Sequence, residues 1–379
     1  MPIALVLTLS SVSFISSKGY RILATLFAVS LGADPLQTGI LFALWGIFPF
    51  LLSVYAGRVA DRFDNRLLML YGLVGFTLSL GLPYFWPTLT ALYISAAMGG
   101  LTSMVFVVAS QNLIGVLSAA KARTRNYSYY SLGESASAVV GPVLVGFCID
   151  AAGYPFTFLL LALINGGCLA LLLVARKAIP NTVRQDDRKA ARNAKDLLAL
   201  PALRNALLAN GVVMAGLDLF SLYMPIYTHN LGFSATAIGL IMGAFGSAAF
   251  VTRLAIPPFT ARWGEHTMIT SALALAAIAF VAVPFTSQPM VLGLASFVLG
   301  VGLGCGQPLT MILAFNAAPA GRAAEAIAMR LAVSYGAHVV IPPVFGAVGA
   351  MMGIAPIFWT CALLVGGGAW VTRKKPQTN

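Results

Sequence analysis

The sequence predicts an all-α membrane protein with twelve transmembrane helices arranged as two pseudo-symmetric six-helix bundles. Three observations point there. Of 379 residues, 59% are hydrophobic and 9% charged, whereas a soluble domain carries about 25% charged residues. Apolar stretches of about 20 residues, enough to cross a bilayer core, recur from Ile3 to Thr372. Basic residues occupy every second connection between those stretches, and a set of residues repeats 200 positions along the chain.

The expected spans are 3–30, 37–57, 67–85, 88–117, 127–150 and 155–176 in the first half, then 203–230, 236–258, 267–285, 289–317, 323–351 and 354–372 in the second. The first begins MPIALVLTLSSVSFISS, which has the apolar run of a signal peptide. It lacks a basic leading segment and an A-x-A-like cleavage site, so it reads as a span. Each later span is bounded by a connection that is either basic or free of Lys and Arg. The basic ones carry Arg58, Arg62 and Arg66; Lys121, Arg123 and Arg125; the cluster from Arg176 to Arg204; Arg253 and Arg262; Arg322; and the tail Arg373, Lys374 and Lys375. The others, near Asp34, Pro87, Gly153, His229, Gln288 and Gly353, carry none. By the positive-inside rule, both termini and the central connection face the cytoplasm of a bacterial-type inner membrane. Topology thereby accounts for the net charge of +12, and nucleic-acid binding is not expected.

The long polar stretch from Arg176 to Pro201, RKAIPNTVRQDDRKAARNAKDLLALP, divides the chain. The expected units are a six-helix bundle over 1–176, a cytoplasmic linker over 177–202 and a second bundle over 203–379. Leu31, Gly32, Gly39 and Gly46 return as Leu231, Gly232, Gly239 and Gly246, a shift of 200. A second match sets VVGPVLVG, Val139 to Gly146, against VIPPVFG, Val340 to Gly346, at a shift of 201. Two same-direction repeats imply a pseudo-twofold axis along the membrane normal, with solute sites near mid-membrane between the halves.

The loop after the second span, GRVADRFDNR from Gly57 to Arg66, resembles the Gly-x-Leu-Ala-Asp-Arg-x-Gly-Arg-Arg motif of the major facilitator superfamily. Gly57, Ala60, Asp61, Arg62 and Arg66 fit, while Val59 replaces leucine and Asp64 stands at the second glycine. The resemblance implies the major facilitator fold and a gating role for this loop, with Asp61 and Arg62 making charge contacts that hold one face shut. A plainer reading takes the arginines as topology anchors. In the second half the equivalent loop ends in ARWG, with Ala261 where Asp61 would align, so the second latch is largely lost. The fifth span holds SAVVGPVLVGF, Ser137 to Phe147, which is similar to the family's Gly-x-x-x-Gly-Pro-x-x-Gly-Gly signature of antiporter-type exporters. Ser137 and Val145 replace two of its glycines. Gly141 and Gly146 allow close helix approach, and Pro142 removes a backbone donor and bends the span.

An ionisable residue at the centre of a membrane helix costs about 2.5 to 3.5 kcal/mol, so each needs a reason. Lys18 and Arg21 lie in the first span, Glu134 in the fifth, Asp218 in the seventh, and Arg330 and His338 in the eleventh. In the family fold these four spans line the central cavity, so the resemblance implies that the residues converge. Lys18 and Asp218 are related by the shift of 200 and carry opposite charges, and a pair between them is the expectation. Lys18 and Arg21, three residues apart, share a helix face. As the proton-coupling carboxylate, Asp218 is favoured by symmetry and Glu134 by its distance from obvious partners; a static Lys18–Asp218 pair fixing helix register is the structural alternative. His338 either packs or relays protons. Arg330, about 12 Å from the cytoplasmic end at 1.5 Å per residue, either reaches the cavity or snorkels to headgroups. Trp45, Phe48, Gln111, Asn112, Tyr130, Tyr223, Tyr227, Gln307 and Asn316 are expected to supply the remaining walls. GLGCGQP, Gly302 to Pro308, has no strand before it and no Lys-Ser/Thr after it, so it reads as closely packed helix and not as a phosphate loop. Cys148, Cys168, Cys305 and Cys361 lack the spacing of a metal or redox site.

The expected function is secondary transport by alternating access, foremost a proton-coupled exporter exchanging protons for a small amphipathic or anionic compound. Lys18, Arg21 and Arg330 outnumber Asp218 and Glu134, which favours an anionic or zwitterionic solute. The first alternative is a symporter or uniporter importing an organic anion. An alternative of another class is a non-transporting membrane sensor or enzyme; against it stand three histidines in total and no nucleophile with His and carboxylate partners. Beyond the proton gradient no cofactor or metal is expected, and a monomer in the bilayer is the default.

Overall fold

The computed structural model describes residues 2–118, 120–175, 194–319 and 322–373, without the side chains of 53–62, 120, 121, 123, 124, 194, 195, 257, 323, 324 and 328. The helices are α1 Pro2–Ser30, α2 Pro35–Arg62, α3 Asn65–Phe85, α4 Leu89–Leu117, α5 Ala120–Val174, α6 Pro201–Asn230, α7 Ala235–Trp263, α8 Glu265–Ala282, α9 Pro289–Gly304, α10 Gly306–Asn316, α11 Ala323–Met352 and α12 Ala355–Arg373. The linker expected over 177–202 lies outside the described residues from 177 to 193; its described end is the short 3-10 helix Ala194–Ala199.

These helices make twelve crossings. The apolar stretch Arg125–Val174 is 50 residues long, about 75 Å of helix, more than twice a bilayer core of about 30 Å. Gly153, at φ 81° and ψ 173°, turns it back, so α5 holds the fifth and sixth spans. Conversely, α9 and α10 together form the tenth span. Pro308 cannot donate to the carbonyl of Gly304 and its ring crowds that oxygen, and the helix breaks at Cys305. GLGCGQP is therefore interrupted, although its close packing is real: a Cβ on Gly302 would lie 2.6 Å from the backbone oxygen of Ala272.

The loop GRVADRFDNR is mostly helix, because α2 runs through Arg62 and α3 starts at Asn65. Asp64 caps α3, accepting the Arg66 N–H at 3.1 Å, and its second oxygen lies 3.5 Å from the Arg66 guanidinium. The symmetry-related Gly264 instead adopts φ 77°. The aspartate thus starts its helix by side-chain capping where the second half uses a left-handed glycine. The side chains of Asp61 and Arg62 lie outside the described residues.

The described ends, Pro2 and Arg373, lie at one end of the bundle, here the terminal end; the turns at Gly32, Gly153, Gly232 and Gly353 mark the far end. All four have φ between 81° and 85°, and they form two pairs 200 residues apart. The register of the repeat is 200 throughout, correcting the shift of 201: Gly39 lies against Pro342 and Gly239 against Pro142. The halves therefore interlock along two seams, α2 on α11 and α7 on α5. Each seam sets a glycine, Gly39 of α2 or Gly239 of α7, against the backbone at a proline, Pro342 of α11 or Pro142 of α5. Pro142 leaves the carbonyl of Ala138 without its helical donor, and Gly246 packs on that oxygen. At the far end Asp150 accepts the backbone N–H groups of Ala235 and Thr236 at 3.0 and 2.7 Å, capping α7 from the other half. The second seam lacks this bond, since Ala350 replaces the aspartate and Pro35 has no N–H.

The outer surface is apolar, as lipid contact requires. Leu51, Leu78, Leu163 and Leu363 are more than 60% exposed. Phe85, Trp86, Phe285 and Trp359 ring the far end, and Phe63, Trp263 and Trp370 the terminal end, the two aromatic belts of a bilayer-spanning protein.

Candidate functional site

A cavity of about 380 Å³ lies between the halves at mid-depth, with walls from α1, α2, α4 and α5 on one side and α6, α7, α9, α10 and α11 on the other. The related stacked pairs Tyr20–Trp45 (4.8 Å) and Phe220–Phe245 (4.2 Å) brace its two flanks. These pairs sit 200 residues apart, so Phe245 was legible from Trp45.

Of the ionisable residues expected inside spans, Lys18, Arg21, Glu134, Asp218 and His338 line this cavity. Their pairing differs from the expected one. Lys18 Nζ lies 3.2 Å from Glu134 Oε1, and both side chains are about one-third exposed. Asp218 is instead 1% exposed, with Oδ2 at 2.5 Å from His338 Nδ1 and Oδ1 at 3.9 Å from the Arg21 guanidinium. Arg21 also lies 5.1 Å from the Phe42 ring centre. The physical reason is helix geometry: Lys18 and Arg21 are one turn apart on α1, so Lys18 meets Glu134 on α5 of its own half while Arg21 reaches across to α6. Glu134 therefore has a close partner, contrary to the expectation that it stands apart. His338 has a carboxylate at hydrogen-bonding distance, which fits both a hydrogen-bonded packing role and a proton relay.

Arg330 does not reach the cavity and does not snorkel. It donates to Asn210 Oδ1 at 3.0 Å, and Asn210 in turn meets Ser334 and Thr310 at 2.9 and 3.1 Å, a polar network within the second half. Among the proposed wall residues, Trp45, Gln111, Tyr130 and Gln307 face the cavity. Tyr130 packs edge-on against Phe14, and Gln307 donates to the Met214 sulfur at 3.6 Å. Asn112, Tyr223 and Tyr227 lie elsewhere. Asn112 donates to Asn65 near the terminal end, Tyr223 reaches the Pro342 carbonyl, and Tyr227 packs on Phe358. Asn316 donates to Glu265. Gly141 packs on the α1 backbone at Ile15 and Gly19, and Gly146 on Ala235, so the helix-bend motif shapes helix contacts around the cavity.

Arg253 was absent from the expected site, having been counted among the topology anchors. It lines the cavity and donates to Ser135 Oγ at 2.7 Å, next to Glu134 in sequence. A signal existed: residue 253 falls inside the expected span 236–258.

Two sets of paired charges in a cavity between a pseudo-twofold pair of six-helix bundles define a membrane transporter. A family profile described as the Major Facilitator Superfamily matches residues 6–342 and again 206–379, and the chain belongs to that family. It is similar to the Tetracycline resistance protein, class C, of Escherichia coli, 28% identical over 69% of each chain. It is also similar to the Multidrug resistance protein MdtG of Serratia proteamaculans (strain 568), 24% identical over 89% of this chain and 84% of that one. Among solved structures, the nucleoside transporter NupG aligns with a TM-score of 0.84 at 14% identity, covering 98% of this chain and 99% of that one. A peptide transporter, POT, aligns at 0.82 and 14%, covering 98% and 93%. At these identities the structural likeness concerns the fold.

Proposed function

We propose that this transporter is a proton-coupled exporter of a small amphipathic or anionic compound, with Asp218 as the group that takes up and releases the proton. One observation carries the reading: Asp218 is buried, yet it touches both His338 in its own half and Arg21 in the other. Protonating it would cancel the charge that attracts Arg21 across the interface at mid-depth, so proton uptake would loosen the halves there. Release would draw them together again, which is the linkage alternating access needs.

The export direction is supported by the fifth-span signature around Pro142 and by the relatives whose names speak of tetracycline and multidrug resistance. The terminal end is read as cytoplasmic from the alternation of basic residues, and the working unit as a monomer.

The test is proton flux in inside-out vesicles holding an acid-interior gradient, challenged with cationic, neutral and anionic compounds. Compound-driven loss of the gradient in the wild type, absent in Asp218→Asn, is expected. Unchanged flux in the variant would assign Asp218 to structure alone. Solute uptake without any proton movement would favour the uncoupled or importing alternative.

A further inference from the structure

We infer that Arg253 is the receptor for an anionic group of the transported compound, with Lys18 beside it, and that the compound is a small organic anion with a flat apolar body. This rests on reading the central cavity as the transport site, and it adds what that reading leaves open: which end of the solute binds where.

The charge balance of the cavity is the first ground. Its described lining carries three permanent cations, Lys18, Arg21 and Arg253, against two carboxylates, Glu134 and Asp218, leaving one excess positive charge before His338 is counted. The carboxylates are already engaged, Glu134 by Lys18 and Asp218 by Arg21 and His338. Among the described residues no carboxylate lies within 4 Å of Arg253.

The second ground is the hydrogen bonding of Arg253 itself. One guanidinium nitrogen donates to Ser135 Oγ at 2.7 Å, a neutral acceptor. The Nε–H is buried without any acceptor. A guanidinium offers five donors in a planar fork suited to a carboxylate, and here much of that fork is unfilled. A cation that must share Glu134 with Lys18 and an unmatched N–H at membrane depth are both costly, and a bound carboxylate would relieve both. Arg330 has a similar pattern, one nitrogen on Asn210 and a buried Nε without an acceptor, but it lies outside the cavity, so only Arg253 can offer its free donors to a solute.

The third ground is position. Ser135 follows Glu134 on α5, which brings Arg253 beside the Lys18–Glu134 pair, itself about one-third exposed. An arriving anion can therefore share Lys18 without disturbing the buried Asp218. The neighbouring walls are aromatic: Phe14, Trp45, Phe106, Tyr130 and Phe245 suit a flat ring system.

The test is equilibrium binding to the purified full-length chain in detergent, by calorimetry, with three probes sharing one ring system: 1-naphthylacetate, 1-naphthylacetamide and 1-naphthylmethylammonium. The acetate is expected to bind at least about tenfold more tightly than the amide, and the ammonium more weakly than either. Arg253→Gln should cost the acetate at least about tenfold while changing the amide less than about twofold. Should that variant fail to elute as a single species, Arg253→Lys keeps the charge but loses the fork, and a three- to tenfold loss is expected for the acetate alone. Equal acetate affinity in the wild type and either variant, a preference for the ammonium, or no binding of any probe would overturn the inference. Binding is read without a proton gradient, so it stands apart from the coupling reading. Anion-selective binding without proton flux would sink coupling and keep the receptor, and proton flux driven by cationic compounds alone would do the reverse.

Discussion

The α5–α7 seam can be probed by one methyl group. In Gly239→Ala the new Cβ would lie 2.6 Å from the backbone oxygen of Pro142 and 3.2 Å from the Cα of Gly146. Carbon and oxygen atoms in ordinary contact sit at about 3.4 Å or more, so the seam must part by nearly 1 Å, and both obstructing atoms are backbone. Forcing an extra carbon into a packed interface costs about 1 to 3 kcal/mol. Alanine recovers about 0.5 to 1 kcal/mol through its better helix propensity, so the net loss lies between about 0 and 2.5 kcal/mol and centres on about 1 kcal/mol. Gly293→Ala is the control, because nothing lies within 4 Å of its Cβ position and only the propensity gain applies. Thermal unfolding of the detergent-solubilised protein, followed by tryptophan fluorescence, should therefore move in opposite directions for the two variants, with Gly239→Ala lower by a few degrees. Gly39→Ala, whose Cβ would meet the Pro342 oxygen at 2.5 Å, should behave like Gly239→Ala. If Gly239→Ala melts with or above Gly293→Ala, the seam is not closely packed.

Three further outcomes are expected. In double-mutant cycles read by melting, Lys18 and Glu134 should couple by about 1 to 3 kcal/mol, while Lys18 and Asp218 should be additive within about 0.5 kcal/mol; coupling of the second pair alone would reject the observed pairing. Asp150→Ala removes a cap from two α7 N–H groups and should cost about 1 kcal/mol. Introducing Ala350→Asp should recover only part of that loss, since Pro35 has no N–H and Leu36 alone remains to donate; full rescue would disprove the capping account. Hydrogen bonds from Arg322 hold the Asp196 carboxyl below its ordinary range. A depressed carboxyl contributes stability that is present above the unfolded value of about 3.9 and is lost as pH falls through the folded value. The melting difference between wild type and Asp196→Asn should therefore be present at pH 7 and close below about pH 4; a difference constant with pH would assign it to another cause.

The crossings were legible because each needs only length and apolarity, and the halves because glycines that turn the chain or admit a neighbour's backbone cannot drift. Gly153 and Gly353 could have been added to the repeat on the same ground. Helix ends were less legible. Polar residues such as Arg58 and Arg62 suggest a loop, yet α2 runs through them, since a helix can continue into the headgroup region. For the site, the sequence shows which charges are buried at cost but not their partners. Asp218 faces Arg21 and not Lys18 because pairing follows the rotation of α1, and a repeat shift carries no information on rotation. Arg253 was overlooked because arginines near span ends usually mark topology, and only its depth within the span set it apart.

The chain is a duplication whose halves no longer match where they meet. Two identical half-length chains related by a twofold axis would present the same residue at positions 18 and 218, and therefore like charges on opposite sides. Joined in one chain, those positions hold a lysine and an aspartate, each neutralised by a different neighbour. The cavity consequently has two unlike sides: the lysine of α1 meets Glu134 of its own half, while at the related place α6 carries an acid that meets His338 and Arg21. A vestibule with a true twofold along the membrane normal would accept a solute equally well after a half-turn about that axis, whereas this one gives a molecule with one charged end a preferred side.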